Sequence, residues 1–222
     1  SGWSLVTHAG RLRATRVILA NNGHLESFGF KAGRLMHIML NACMTAEIGA
    51  DDLKRLGGQE SWGLTPSDPM GCTVRRISTA QGGNRIVIRQ GGYYRPGMAT
   101  SAADLARVTA RMRTKFNARF PGLRHIPFEH AWSGHLCLTK NAVSVMRELE
   151  PDLFSACVQN GLGTTRGTLT GIGAAELAMG QTSEITRFFL AEAEPTRLPP
   201  HPFDSIGANA YLRFKEWQAS AE

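Results

Sequence analysis

The residues best placed to do chemistry in this sequence do it through the backbone. An apolar run at 154–158 reads as a short strand, Asn160, Gly161, Leu162 and Gly163 read as a loop, and residues 164–168 read as the start of a helix. The two glycines let backbone N–H groups approach a flat or anionic group closely, and the dipole of a helix beginning at Thr164 favours electron-rich oxygen there. The natural occupant is the edge of a ligand. Side-chain chemistry is thin by comparison, with no evident Ser-His-Asp, Cys-His or paired-carboxylate constellation. Cys43, Cys72, Cys137 and Cys157 are scattered, which indicates neither a zinc site nor a disulfide framework and predicts buried free thiols.

Such a loop needs a helix behind it and a sheet to carry it. Residues 169–180 form a small-residue helix whose glycines and alanines require a close neighbour; the Gly-x-Gly string at 171–173 lies inside that helix and reads as a packing feature. At the other end of the chain, residues 3–7 and 15–20 are strand-like and a turn-like interval at 8–11 separates them, which predicts a hairpin. The second run ends in Ala20, Asn21, Asn22 and Gly23, and the carboxyl edge of a strand is where open α/β sheets bind ligands.

The middle of the chain is predicted to be an antiparallel sheet with helices packed on it. Residues 35–45 fit a strand, although their length and methionines also allow a helix, and His37 among them reads as a satisfied core histidine. Residues 73–78 and 84–89 flank Gln81, Gly82 and Gly83 as a hairpin. The glycine-rich run at 91–97 breaks the strand pattern, Ser101 and Asp104 have capping-box spacing, Pro121 ends the helix they open, and 126–132 return as a strand. Four prolines between 195 and 202 keep the tail extended before a helix at 208–218, whose aromatic neighbours Phe203, Tyr211, Phe214 and Trp217 are expected to be covered. The expected fold class is α+β.

The 222 residues carry a formal charge of +7, which invites a nucleic-acid reading, but Arg107, Arg111, Arg113, Lys115 and Arg119 share one amphipathic helix and read as a solvated face. Neither nucleic acid nor membrane is an expected partner. No apolar run reaches spanning length and the amino end lacks a signal-peptide layout, so a cytoplasmic protein is expected.

Residues 17–23, the pair of segments around Phe120-Pro121-Gly122-Leu123 and Trp132-Ser133-Gly134, and the loop at Asn160 together resemble the FAD-dependent oxidoreductases of the D-amino-acid oxidase and glycine oxidase type. The family includes sarcosine oxidase and gamma-glutamylputrescine oxidase. The first segment is similar to its strand ending Val-Leu-Ala-x-Asn-Gly, the next two to its Phe-Pro-x-Leu and Trp-x-Gly markers, and the last to its closing flavin loop. The resemblance spans nearly the whole chain. It implies FAD as cofactor, contacted by Ala20, Asn21, Asn160, Gly161, Leu162, Gly163 and Thr164, and a reaction in which a hydride equivalent leaves the carbon beside a substrate nitrogen. It further implies terminal strands of the FAD-binding α/β domain at 1–30, a substrate domain at 31–135, a return to the FAD-binding domain at 136–190 and a carboxyl-terminal tail at 191–222.

The family's Gly-x-Gly-x-x-Gly strand-turn-helix for the pyrophosphate is not found before Trp3. The chain is therefore expected to be the carboxyl-terminal half of a longer flavoprotein, inactive alone, with the missing amino-terminal half as its partner; a homodimer burying the 171–179 helix is a further expectation. Where amino-acid-oxidising relatives place a carboxylate-gripping arginine after Trp-x-Gly, this sequence has Leu136, and Thr139-x-Asn141 is similar to the gamma-glutamylputrescine oxidase branch. The resemblance thus implies a small amine, or an N-substituted amino compound, as substrate. Arg95, in its glycine-rich loop, could gate the substrate pocket or be an ordinary exposed arginine, and His135 could face the flavin or fill space after a strand. A free-standing, non-catalytic binding domain of the same fold is the alternative reading.

Overall fold

In the computed structural model, which describes residues 2–219, the first two strands β1 (Trp3–Thr7) and β2 (Gly10–Ala14) close an antiparallel hairpin, and β3 (Val17–Leu19) belongs to a different sheet. The hairpin predicted from sequence thus has another second strand. Gly10, at φ +142°, turns the chain two residues after His8, so Gly10–Ala14 reaches β1 before residues 15–20 can.

The long strand β4 (Met36–Thr45) settles the strand-or-helix ambiguity and lies in a five-stranded sheet of order β5-β6-β7-β4-β8, completed by β5 (Trp62–Leu64), β6 (Thr73–Ile77), β7 (Arg85–Tyr94) and β8 (Phe128–Leu138). Helix α1 (Ala50–Leu56) precedes β5, and α2 (Ala102–Arg119) lies between β7 and β8. Met112 and Phe116 of α2 bury themselves in a core with Cys43, Val74, Ile86 and Ile88, where alternate residues of the sheet point to one face. The start of α2 is the predicted capping box: Ser101 Oγ accepts from the Asp104 N–H at 3.1 Å and donates to Asp104 Oδ2 at 2.8 Å. Contrary to the sequence reading, β7 does not break at its glycines but runs to Tyr94. Gly91, at φ +65°, takes up an extra residue where the β4–β7 register shifts between Leu40 and Ala42, so the glycines make a bulge within the strand.

Beyond these come β9 (Val145–Glu150), β10 (Leu153–Cys157), α3 (Thr165–Ala178), α4 (Glu184–Leu190) and α5 (Phe203–Gln218). A three-stranded sheet has the order β3-β10-β9; β10 is parallel to β3, antiparallel to β9, and all five of its residues are buried. Helix α3 packs closely on this sheet. A methyl group at Gly173 would stand 3.1 Å from Met146 Cε, and Thr170 and Ala174 are fully buried, which is the close neighbour its small residues predict.

By contact the chain forms two units, one from residues up to His37 with Leu136–Asp204, the other from Ile38–His135 with residues from Ser205 on. Residues 192–198 dock on the first: Arg34 donates to the Pro195 carbonyl at 2.5 Å, Glu194 pairs with Lys31 and Arg147, and Leu198 N–H donates to the Gly33 carbonyl. The helix α5 docks on the second, but through polar residues. Asn209 exchanges hydrogen bonds with the Tyr94 backbone and Lys215 pairs with Asp68 at 2.6 Å, while Phe203, Tyr211, Phe214 and Trp217, expected to be covered, are 52 to 71% exposed. No helix among the described residues is long and apolar enough to cross a membrane.

Candidate functional site

The parallel pairing of β3 with β10, Val17 opposite Leu153 and Leu19 opposite Ser155, brings the carboxyl ends of the two strands side by side. Ala20 and Asn21 thereby come next to the strand that feeds the Asn160 loop, and the single S–H of Cys157 is shared between the Leu19 carbonyl at 3.2 Å and Asn21 Oδ1 at 3.3 Å. Asn21 Nδ2 is buried and has no partner among the described residues. It is a donor held in place by its own oxygen. Just beyond, Gly23 is required by space, since a methyl group there would stand 2.7 Å from the His37 ring. That ring is buried and meets Glu26 Oε2 at 2.7 Å, so His37 is a structural histidine, as its apolar surroundings predict.

The loop after β10 is sharply wound. Val158, Asn160 and Gly161 have φ of +63°, +51° and +85°; a β-branched residue such as Val158 is rare in the left-handed region and persists only where its surroundings dictate it. Those surroundings are Asn160. Its Oδ1 accepts from the Thr139 N–H at 2.8 Å and from Thr139 Oγ1 at 3.3 Å, and its Nδ2 donates to the carbonyls of Val143 at 2.8 Å and Val158 at 3.4 Å. The side chain of Asn160 therefore braces the loop, leaving only its backbone for a ligand. The same holds for the segment read as a substrate-class marker: Thr139 holds Asn160, and Asn141 holds the tail through the Glu194 carbonyl and the Thr196 N–H. Sequence reasoning missed both roles, because neither bond is local.

From Gly161 to Thr165 the chain is exposed, and α3 begins at Thr165, its N-cap Thr164 making no side-chain cap bond and its first turn holding no acidic residue. The N–H groups of Gly163, Thr164 and Thr165 donate to no group among the described residues, whereas those of Arg166 and Gly167 already donate to Leu162 and Gly163. Nothing lies within 4 Å of the side-chain direction at Gly163. An uncapped helix start with three unused donors favours an electron-rich group in front of it. Leu136 flanks the loop, its Cδ2 3.9 Å from a methyl group built at Gly161. Arg166 fixes α3 from behind, donating to Ser144 Oγ at 2.6 Å and pairing with Glu192.

The two other predicted residues belong to the second unit. Arg95 pairs with Asp104 at 2.9 Å and lies over the Tyr93 ring, with its side chain 41% exposed; His135 is half-buried in β8. All four cysteines are buried and free, and burial pushes the Cys137 thiol up to about 12. No cluster of metal-ligating side chains occurs among the described residues.

Residues 1–177 match the model of the FAD dependent oxidoreductase family. The chain belongs to that family. Among solved structures it is similar to glycine oxidase from Geobacillus kaustophilus, with 20% identity and a TM-score of 0.60 over 86% of this chain and 49% of that one. It is also similar to L-proline dehydrogenase from P. horikoshii, with 17% identity and a TM-score of 0.54 over 84% and 48%, and to the fructosyl amine:oxygen oxidoreductase Amadoriase I from Aspergillus fumigatus, with 16% and 0.57 over 82% and 44%. At these identities the likeness establishes the fold, and the chain spans about half the length of each. No curated protein matches the sequence.

Membership implies FAD, and the residues present fit it. An isoalloxazine edge offers carbonyl oxygens and ring nitrogens, which match the unused N–H groups at Gly163 to Thr165 and the orphaned Asn21 Nδ2. The open direction at Gly163 leaves room for the ring to approach. Ala20, Asn21 and the backbone from Gly161 to Thr164 are the groups that would hold it.

Proposed function

We propose that this chain supplies the isoalloxazine-facing loop and the substrate domain of an FAD-dependent oxidoreductase that oxidises a C–N bond of an amine or N-substituted amino compound. The observation that carries the reading is the uncapped, exposed start of α3, with its unused N–H groups beside the carboxyl end of β3. Bound there, FAD supplies the two-electron acceptor. The backbone N–H groups from Gly163 to Thr165 and the positive end of α3 would hold the ring edge there and would favour negative charge on it. Asn160, Thr139 and Arg166 keep those donors aimed. Arg95 and His135 are the residues proposed to meet the substrate.

The substrate class rests on Leu136. An apolar side chain beside the loop cannot grip a carboxylate, which supports the amine-oxidising, gamma-glutamylputrescine oxidase-like branch over enzymes of simple α-amino acids. The nucleotide end of FAD is assigned to polypeptide outside these residues, an amino-terminal half bearing a Gly-x-Gly-x-x-Gly turn. In the 222-residue chain by itself, the exposed Leu169 and Ile172 of α3 and Met179 at its end are proposed to meet a second copy.

Absorbance of the purified 222-residue chain is expected to show no stoichiometric flavin, and light scattering is expected to show a dimer; a yellow, monodisperse monomer would refute this arrangement. In a steady-state screen of the complete flavoprotein, polyamine derivatives are expected to outperform simple α-amino acids. The reverse order would remove the substrate assignment while leaving the flavin site standing.

A further inference from the structure

The second unit holds a cavity of about 470 Å3 between β7, α2 and α5 that shares no residue with the Asn160 loop and includes neither Arg95 nor His135. Its volume is in the range of small-molecule sites. Two amides reach it from the sheet. Gln90 is only 8% exposed, and its side chain makes no hydrogen bond among the described residues. Asn41 is 3% exposed; its Oδ1 accepts from Ser133 Oγ at 2.7 Å, and its Nδ2 has no partner among the described residues. Neither the Gln90 amide nor Asn41 Nδ2 is sealed in the protein; both are open to the cavity, which leaves them available to a polar group of a ligand.

The backbone is arranged around these two groups. The bulge at Gly91 lies opposite Asn41, where the register passes from Leu40–Gly92 to Ala42–Arg89, and bulges of this kind re-aim side chains next to binding sites. Gly91 also admits α5: a methyl group there would stand 3.0 Å from Glu216 Oε1, and Glu216 is held by Arg111 at 2.5 Å. Among the described residues, Arg111, Lys115 and Arg213 line the cavity with Glu216 as its carboxylate; Arg111 and Lys115 have partners of their own, and Arg213 makes no ion pair among the described residues. Val108 and Met112 give it an apolar wall, and the Trp217 indole lines it as well, 71% exposed.

The geometry points to a binding site for a small organic carboxylate: the anion meets the cations of α2 and α5, a hydrogen-bonding group meets Gln90 and Asn41, and an apolar body lies along Val108 and Met112. A bare, strongly hydrated inorganic anion would use the cations and leave the apolar wall and the amides without a role. Trp217 supplies the readout. Titrating the full chain with 3-phenylpropionate is expected to give a saturable change in tryptophan fluorescence that Trp217→Phe abolishes, with the neutral 3-phenylpropanamide about tenfold weaker. Arg213→Met, on the exposed face of α5, is expected to erase that preference for the anion, and Gln90→Leu to weaken both compounds about tenfold. Circular dichroism shows whether each variant is folded; if Gln90→Leu is not, Arg213→Met carries the test. The site is overturned by the absence of a saturable change, by equal affinity for acid and amide in the unmutated chain, or by inorganic phosphate binding more tightly than 3-phenylpropionate.

Discussion

The Asn160 loop and the cavity beside α5 use the same residue types in opposite ways. In the loop the amide of Asn160 is fully occupied by Thr139, Val143 and Val158, and the groups left for a ligand are backbone N–H. In the cavity the β4–β7 pairing is interrupted by the bulge at Gly91, and the side-chain amide of Gln90 and Nδ2 of Asn41 are the polar groups without a partner among the described residues. The difference teaches that a polar side chain buried in a fold marks a site only when its own bonds are incomplete. Asn160 and Asn41 are indistinguishable by residue type; their partners separate them.

The comparison breaks most sharply at Asn160. Asn160→Ala removes bonds to three residues and leaves Val158 in a left-handed conformation without support, so a loss of about 2–4 kcal/mol is expected by urea denaturation. Asn41→Ala, which removes the one hydrogen bond from Ser133 Oγ, is expected to lose far less; equal losses would erase the contrast. Next in size, Gly23→Ala pushes a methyl group into the His37 ring and is expected to lose about 1–3 kcal/mol, with Gly163→Ala close to neutral because its side-chain direction is open.

Ser101→Ala, at the start of α2, is expected to lose about 1 kcal/mol. The same cap gives a pH signature. The Ser101 hydroxyl, with Arg95 and Arg107 near it, holds the Asp104 carboxyl below the usual aspartate value of about 3.9. A depressed folded value stabilises fully above the unfolded one and is lost as pH falls through the folded one, so the stability gap between wild type and Asp104→Asn should be constant from pH 5 to 8 and shrink below about pH 4. A gap that widened on acidification would contradict the assignment. The smallest effect is expected from Lys215→Met, a drop in melting temperature that high salt erases, because the Asp68 pair it breaks is near the surface.

Local signals carried much of the fold. The order strand, loop, helix around Asn160 was legible because a buried strand, two glycines and a small-residue helix follow one another without interruption. The α2 cap was legible because Ser101 and Asp104 satisfy each other three residues apart, and the β6–β7 hairpin because Gly82 and Gly83 tolerate φ of +119° and +99°. The glycines at 91 and 92 misled for a related reason. A glycine at positive φ can end a strand or bulge it, and only the partner strand decides; here Leu40 and Met39 of β4 close on Gly92 and carry the pairing through. The aromatic residues of α5 misled because a helix with charged and apolar residues on several faces can dock by either.

By itself the sequence determined the elements, the helix caps, the strand-loop-helix motif at Asn160 and, through that motif's neighbours, the family. Only the tertiary structure decided that β1 pairs with β2, that Asn160 braces while Asn41 and Gln90 stay open, and that α5 turns its aromatic residues outward. Caps and glycine turns are set within a few residues, where the chain has little choice. Which strand edge, amide or helix face finds a partner depends on groups as far as 163 residues away, as the Lys31 ammonium bonded to Glu194 shows, and no local pattern encodes that distance.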